Sequence, residues 1–254
     1  MHTLRLSFID ADTGIYTLNN YFAFFSKDIF YDSFFRTLKL SFFVIIFSVI
    51  LAFPLAYFIC FVVKKKFRTL ALLILVAPFW TSFTIRAFSW QLVLSDNGVV
   101  AWFFELITGI SVTLGILYTM NASIFGLALF CSMLTTFTLY GALVSIDIKL
   151  IEAASNLGAK PLSIFKDIIF PLGLPGLMAG IFLSFIVCVG DYAVPTLLGG
   201  GLKPVLAQIM LSILKGTYDL SQAATIAIIL AMTVILCGLP LIVYGLLRRN
   251  RLSV

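Results

Sequence analysis

Few residues in this chain have the chemistry to act, and their positions narrow what they could do. Arg86 and Asp191 each sit inside a long apolar run, where an ionised group is costly and marks a partner or a path. Two readings stand side by side. In one, the two form a structural ion pair, or Arg86 reaches out to the headgroup layer. In the other, Asp191 meets a cationic amine on a helix opened by Gly190 and Pro195. Trp80, Thr81, Ser82, Thr84, Ser89 and Trp90 give a polar and aromatic side just after Pro78. Such a side can offer π faces and hydroxyls to ammonium groups, or hydroxyls to neighbouring helices. Tyr192, beside Asp191, joins this candidate pathway. A third group is hydrophilic and lies between apolar runs: Asp147 to Pro161, with Glu152, Ala153, Ala154, Asn156 and Gly158.

Covalent and metal chemistry are excluded by residue type. His2 is the one histidine, Cys60, Cys131, Cys188 and Cys237 lie apart inside apolar runs as packing thiols do, and no GxxxxGK occurs. No catalytic, cofactor or metal site is expected, so the chain is read as a non-enzyme whose energy comes from another chain. The net charge of +6 comes from basic residues scattered at the ends of apolar runs, which fits a lipid bilayer and not a nucleic acid.

The elements that must hold these residues follow from an apolar surplus. The 254 residues are 61% hydrophobic and 11% charged, with a mean hydropathy of +1.12, against roughly 45–50% and about 25% in soluble domains. Five segments are long enough to cross about 30 Å as helices: Leu38 to Val63, Leu70 to Leu94, Asn121 to Ile146, Gly176 to Leu197 and Ala223 to Leu247. Their residues do not alternate as barrel strands would, so an all-α integral membrane protein is expected. Pro54, Pro78 and Pro240 should kink or break their helices. Gly176 and Gly180 should let the fourth span approach another helix closely.

Orientation follows from charge. Lys64, Lys65, Lys66, Arg68, Lys149, Lys160, Lys166, Arg248, Arg249 and Arg251 fall on one side if five spans alternate, and that side is expected to be cytoplasmic. Residues 1–37 then form an extracytoplasmic segment, 38–247 the transmembrane domain with a cytoplasmic loop at 147–172, and 248–254 a cytoplasmic tail. Nothing in residues 1–37 would carry them across, so a span preceding Met1 is expected. Within the loop, Lys149 to Leu157 should form a short helix stopped by Gly158, and Pro161 should open a second that Pro171 ends. Ala153 and Ala154 keep one side of the first helix thin enough for a partner's groove, with Glu152 and Asn156 one turn apart for polar contacts.

Glu152-Ala153-Ala154, Gly158, Ile168 and Pro171 resemble the EAA loop of ABC importer permeases, with Phe170 where that family usually has leucine. The resemblance implies the type I ABC importer permease fold, with five core spans and this loop as the helix that docks into an ATPase. Three further strings, Ala77-Pro78-Phe79-Trp80-Thr81-Ser82-Phe83-Thr84-Ile85-Arg86, Asp96-Asn97-Gly98 and Gly190-Asp191-Tyr192-Ala193-Val194-Pro195-Thr196-Leu197-Leu198-Gly199-Gly200, are similar to the first permease of spermidine/putrescine importers. So is Thr17-Leu18-Asn19-Asn20-Tyr21, which follows a first span in that family. The resemblance implies an inner-membrane permease working with an ATPase dimer that hydrolyses ATP, a second permease subunit and an extracytoplasmic solute-binding protein. Polyamine is the implied cargo. Iron or thiamine is the alternative within the class, and an ion-coupled secondary transporter the alternative outside it, although the inverted repeats and midplane carboxylates of the latter are missing.

Overall fold

The computed structural model describes the backbone of residues 2–9, 15–109, 113 and 115–252, and side chains as far as residue 240. Asp10 and Asp12, the basic side chains of the tail and the last two residues lie outside this description. Apart from an isolated bridge between Ile9 and Tyr16, the described residues hold helices and connections only. In chain order these are α1 (His2–Ser7), α2 (Asn19–Ser26), α3 (Asp28–Tyr57), α4 (Lys65–Val76), α5 (Phe83–Leu94), α6 (Val99–Thr108), α7 (Met120–Leu143), α8 (Ile148–Asn156), α9 (Pro161–Ile164), α10 (Phe170–Gly190), α11 (Ala193–Leu197), α12 (Leu206–Gly216) and α13 (Leu220–Leu252).

Four stretches are long and apolar enough to cross a membrane: Asp28–Val62, Met120–Leu143, Pro161–Gly190 and Leu220–Pro240. A fifth is broken, since Lys65–Trp80 and Phe83–Thr108 meet at a 94° bend. The break follows Pro78, whose turn Ala77–Trp80 is 3-10 and not α. Pro54 and Pro240 stay inside α3 and α13. α3 ends in a π turn, Phe58–Val62, closed where Arg68 Nε donates to the Val63 carbonyl at 3.1 Å.

Two sequence expectations need correction and one needs extension. The apolar run that begins at Leu38 belongs to a longer helix, because α3 starts at Asp28 and carries charged turns ahead of it. The fourth span starts at Pro161 and stops at Gly190, where Gly176 to Leu197 was expected. Accordingly Pro171 does not end a helix. Residues Phe165–Ile169 form a π turn in which the Phe170 N–H bonds the Phe165 carbonyl, so the missing N–H of Pro171 falls at the junction of two bonding patterns, where its loss is tolerated.

Two compact units divide the chain, and their boundaries cut through helices. One comprises 1–44, 81–127 and 186–237. It buries Leu40, Val44, Leu127, Leu198, Leu206 and Ile226. The Leu206 N–H donates to Thr37 Oγ1 at 3.0 Å, and Thr225 Oγ1 to the Ser7 carbonyl at 3.3 Å, which ties the first residues to α13.

The other unit comprises 45–80, 128–185 and 238–254. Its core gathers Ala56, Cys60, Leu139, Leu143, Ile164, Ile169 and Leu177. Here α10 lies against α7: a Cβ on Gly176 would fall 2.5 Å from Ala142 Cβ, and one on Gly180 would fall 2.8 Å from Thr135 Cα. These are the two glycines whose spacing predicted a close approach. Buried hydroxyls bond across the helices, with Thr135 Oγ1 and Ser184 Oγ 3.1 Å apart and Ser48 Oγ donating to the Ala128 carbonyl at 3.2 Å.

Candidate coupling site and translocation pathway

The segment between α7 and α10 is built by local rules. Asp147 caps α8, its carboxylate accepting from the Lys149 N–H at 3.0 Å. At the far end Gly158 takes a left-handed φ of +82°. The Gly158 N–H then reaches the Ser155 carbonyl at 2.9 Å and the Ala159 N–H reaches that of Ala154 at 3.0 Å. That pair of bonds is a Schellman stop, and it turns the chain so that Pro161 can open α9 at its first helical position.

α8 has two faces. Ile151 and Ala154 pack against the core that holds Leu139, Leu143 and Ile164. Ile148, Leu150, Glu152, Ala153, Ser155, Asn156 and Gly158 are exposed. The candidate coupling residues therefore divide: Glu152, Ala153 and Gly158 face outward, whereas Ala154 and Ile168 are half-buried against the chain's own core and Pro171 is half-buried in α10. The thin side expected from both alanines is thus carried by Ala153. The Glu152 side chain forms no hydrogen bond or ion pair with any described residue.

Sequence reasoning missed the apolar part of this surface. Leu157 is 89% exposed and Leu162 77%, close in sequence to the exposed Leu150. The signal was the seven-residue spacing of Leu150 and Leu157 on a polar helix, which sets both on one face.

At the end of α10 the candidate pathway residues behave differently. Asp191 is only 8% exposed. Its Oδ1 accepts from the Ala193 N–H at 2.9 Å and its Oδ2 from the Val194 N–H at 3.2 Å. The carboxylate caps the first turn of α11, which is why α10 stops at Gly190 and does not run to Leu197. Asp191 and Arg86 form no ion pair with each other in this structure, and the Arg86 guanidinium lies 5.2 Å from the centroid of the Phe83 ring. Tyr192 is exposed beside Asp191, and Thr196 Oγ1 accepts from Gln208 Nε2 at 3.0 Å.

In the broken span, Trp80 is 83% exposed and Thr81, Ser82 and Thr84 are exposed with it. Trp90 is half-buried, edge-on to Phe125 with ring centroids 5.3 Å apart. Ser89 returns its hydroxyl to the Ile85 carbonyl at 2.9 Å, so it serves its own helix.

Several apolar spans, one broken at a proline, joined by a capped amphipathic loop helix, define a helical integral membrane protein. The chain belongs to the family of binding-protein-dependent transport system inner membrane components, whose model matches residues 20–252. The inner membrane ABC transporter permease protein YdcU of Escherichia coli (strain K12) is 32% identical over 181 residues, 66% of this chain and 58% of that one. The spermidine/putrescine transport system permease protein PotB of the same strain is 29% identical over 234 residues, 91% of this chain and 82% of that one. Among solved structures, a chain of a bacterial ABC transporter involved in the import of the acidic polysaccharide alginate superposes with a TM-score of 0.73 at 19% identity, covering 98% of this chain and 88% of that one. The fold is that of type I ABC importer permeases, as the EAA-like loop implied, and the chain is a permease subunit, not an enzyme.

Proposed function

We propose that this chain is one half of the membrane-spanning pair of a polyamine importer. The observation that carries the reading is the relation to PotB, which runs through 91% of the chain and includes the loop around Glu152. ATP is hydrolysed on a separate ATPase dimer, a second permease completes the pore, and an extracytoplasmic binding protein delivers the solute. The segment from Asp147 to the start of the fourth span at Pro161 faces the cytoplasm, in keeping with the basic residues around it. Glu152, Ala153 and Gly158 present α8 to the ATPase, with Leu150, Leu157 and Leu162 as its apolar contact and Ala154, Ile168 and Pro171 holding the loop on its core. ATPase closure then moves α8 with the helices it is packed on and shifts the pore from inward-facing to outward-facing.

For the cargo path, Trp80, Thr81, Ser82, Thr84, Trp90 and Tyr192 supply aromatic faces and hydroxyls suited to ammonium groups. Asp191 serves the path by fixing its wall. The test is uptake of radiolabelled spermidine and putrescine in host cells lacking this chain, with and without the chain restored. Loss and recovery of polyamine uptake is expected. Unchanged polyamine uptake alongside loss of another solute would end the polyamine reading and leave the importer.

A further inference from the structure

A cavity of about 420 Å³ opens between the third and fourth turns of α3 and the N-terminal end of α7, in the first of the two units. Arg36, Lys39 and Lys203 line it together with Tyr118, and Leu40 and Met120 supply apolar wall. No carboxylate is among the described residues that line it. Asp32 holds Arg36 in an ion pair at 3.2 Å, whereas Lys39 and Lys203 make no ion pair with a described residue. Like charges drawn into one concavity raise its potential and favour uptake of an anion.

The cavity is a built feature of the fold. Lys203 arrives on a loop that turns through Gly200 and Gly201, at φ of +70° and +71°. A Cβ on Gly200 would fall 2.7 Å from Tyr118 Cβ, so the loop lies directly on Tyr118. The level along α3 is equally specific. Asp28, Asp32, Arg36 and Lys39 give way at Leu40 to residues that stay uncharged as far as Val63, which is how a helix passes from the headgroup layer into hydrocarbon.

We infer that this cavity binds the phosphodiester headgroup of an anionic phospholipid, with Lys39 and Lys203 on the phosphate and the acyl chains leaving past the half-buried Met120. The cavity lies toward the extracytoplasmic end of α3, and a basic concavity between membrane helices attracts an anionic headgroup by its charge on either face of the bilayer. Free inorganic phosphate would satisfy the lysines but has no use for an apolar wall beside them. The basic lining repels a polyamine, so on the polyamine reading proposed above the cavity is not the seat of the cargo.

The experiment is native mass spectrometry of the full chain, purified in a mild detergent, delipidated, and titrated with phosphatidylglycerol or phosphatidylcholine. Preferential retention of phosphatidylglycerol is expected. At about fivefold per lysine, the Lys39→Gln/Lys203→Gln variant should lose roughly 25-fold of that preference. The Lys39→Arg/Lys203→Arg variant should keep it, and so should Lys215→Gln, which alters an exposed lysine of α12 outside the cavity. Gel filtration checks that each variant is intact, and the arginine variant separates lost charge from lost structure. Equal retention of the two lipids, unchanged preference in the glutamine variant, or displacement of the lipid by millimolar inorganic phosphate would each overturn the assignment.

Discussion

Glu152 and Asp191 are carboxylates with opposite circumstances. Glu152 is exposed on a helix whose other face is packed, and no described residue uses its charge. Asp191 is buried, and both of its oxygens are taken by backbone N–H groups two and three residues on. A buried carboxylate that completes a helix cap is part of the scaffold, because removing it strands donors that water cannot easily reach. An exposed carboxylate with no internal duty is available to another molecule. Substitutions at the two sites should therefore fail in different measurements: at Glu152 in assembly and uptake, at Asp191 in stability.

The sharpest test of the first half is Gly158→Trp. A side chain at φ +82° costs about 1–2 kcal/mol, and the Schellman stop that aims α9 away from α8 is lost with it. Uptake should be abolished and the ATPase should no longer co-purify, while the chain still reaches the membrane. Normal co-purification would show that α8 is not the docking element. Glu152→Lys should follow closely, losing about 2 kcal/mol or more of ATPase binding, roughly 30-fold, as charge reversal at an interface anchor does. Titration of the detergent-solubilised permease with ATPase reads this directly.

The second half of the comparison is tested by stability. Asp191→Ala removes both acceptors of the α11 cap and should cost about 2 kcal/mol, a fall of roughly 4–8 °C in melting temperature for a chain of this size. Asp191→Asn keeps one acceptor oxygen and should cost about half as much. The double exchange Arg86→Asp with Asp191→Arg should not recover stability, because an arginine cannot accept from the Ala193 and Val194 N–H groups. Recovery would restore the ion-pair reading. Full stability with strongly reduced uptake in Asp191→Asn would instead make Asp191 a pathway residue.

What was legible in the sequence followed signals carried by single residues or short spacings. Gly158 and Pro161 placed the turn between α8 and α9, Pro78 the broken span, and Gly176 with Gly180 the close contact of α10 and α7, because a proline fixes its own backbone while a glycine allows a left-handed turn or a close approach that a Cβ would block. Misread features depended on bonding that hydropathy does not carry. Pro171 looked like a helix end because nothing in its neighbours signals a π turn. Asp191 looked like a charge inside a span because the run Gly176 to Leu197 is apolar on both sides of it, whereas an Asp two residues before Ala193 is equally a cap, and Pro195 within the same turn was the hint. Ala153 and Ala154 were read as one thin face, although neighbours on a helix point about 100° apart, and here Ala153 faces outward while Ala154 packs on the core.

The finest test of the comparison is Glu152→Gln, which keeps size and hydrogen-bonding reach and removes only charge. Because the side chain is exposed and bonds to no described residue, stability should move by no more than about 0.5 kcal/mol. If Glu152 meets a cationic group on the ATPase, affinity should fall at low salt, and the difference from the unsubstituted chain should shrink as ionic strength rises past about 0.15 M, where the Debye length is about 8 Å. The measurement is ATPase binding to the solubilised permease across a salt series. A loss that does not vary with salt means that Glu152 acts as a hydrogen-bond acceptor in a dry contact. Identical binding at every salt concentration removes Glu152 from the interface and leaves docking to Leu150, Leu157 and Leu162, whose exposed apolar surface would then account for the contact.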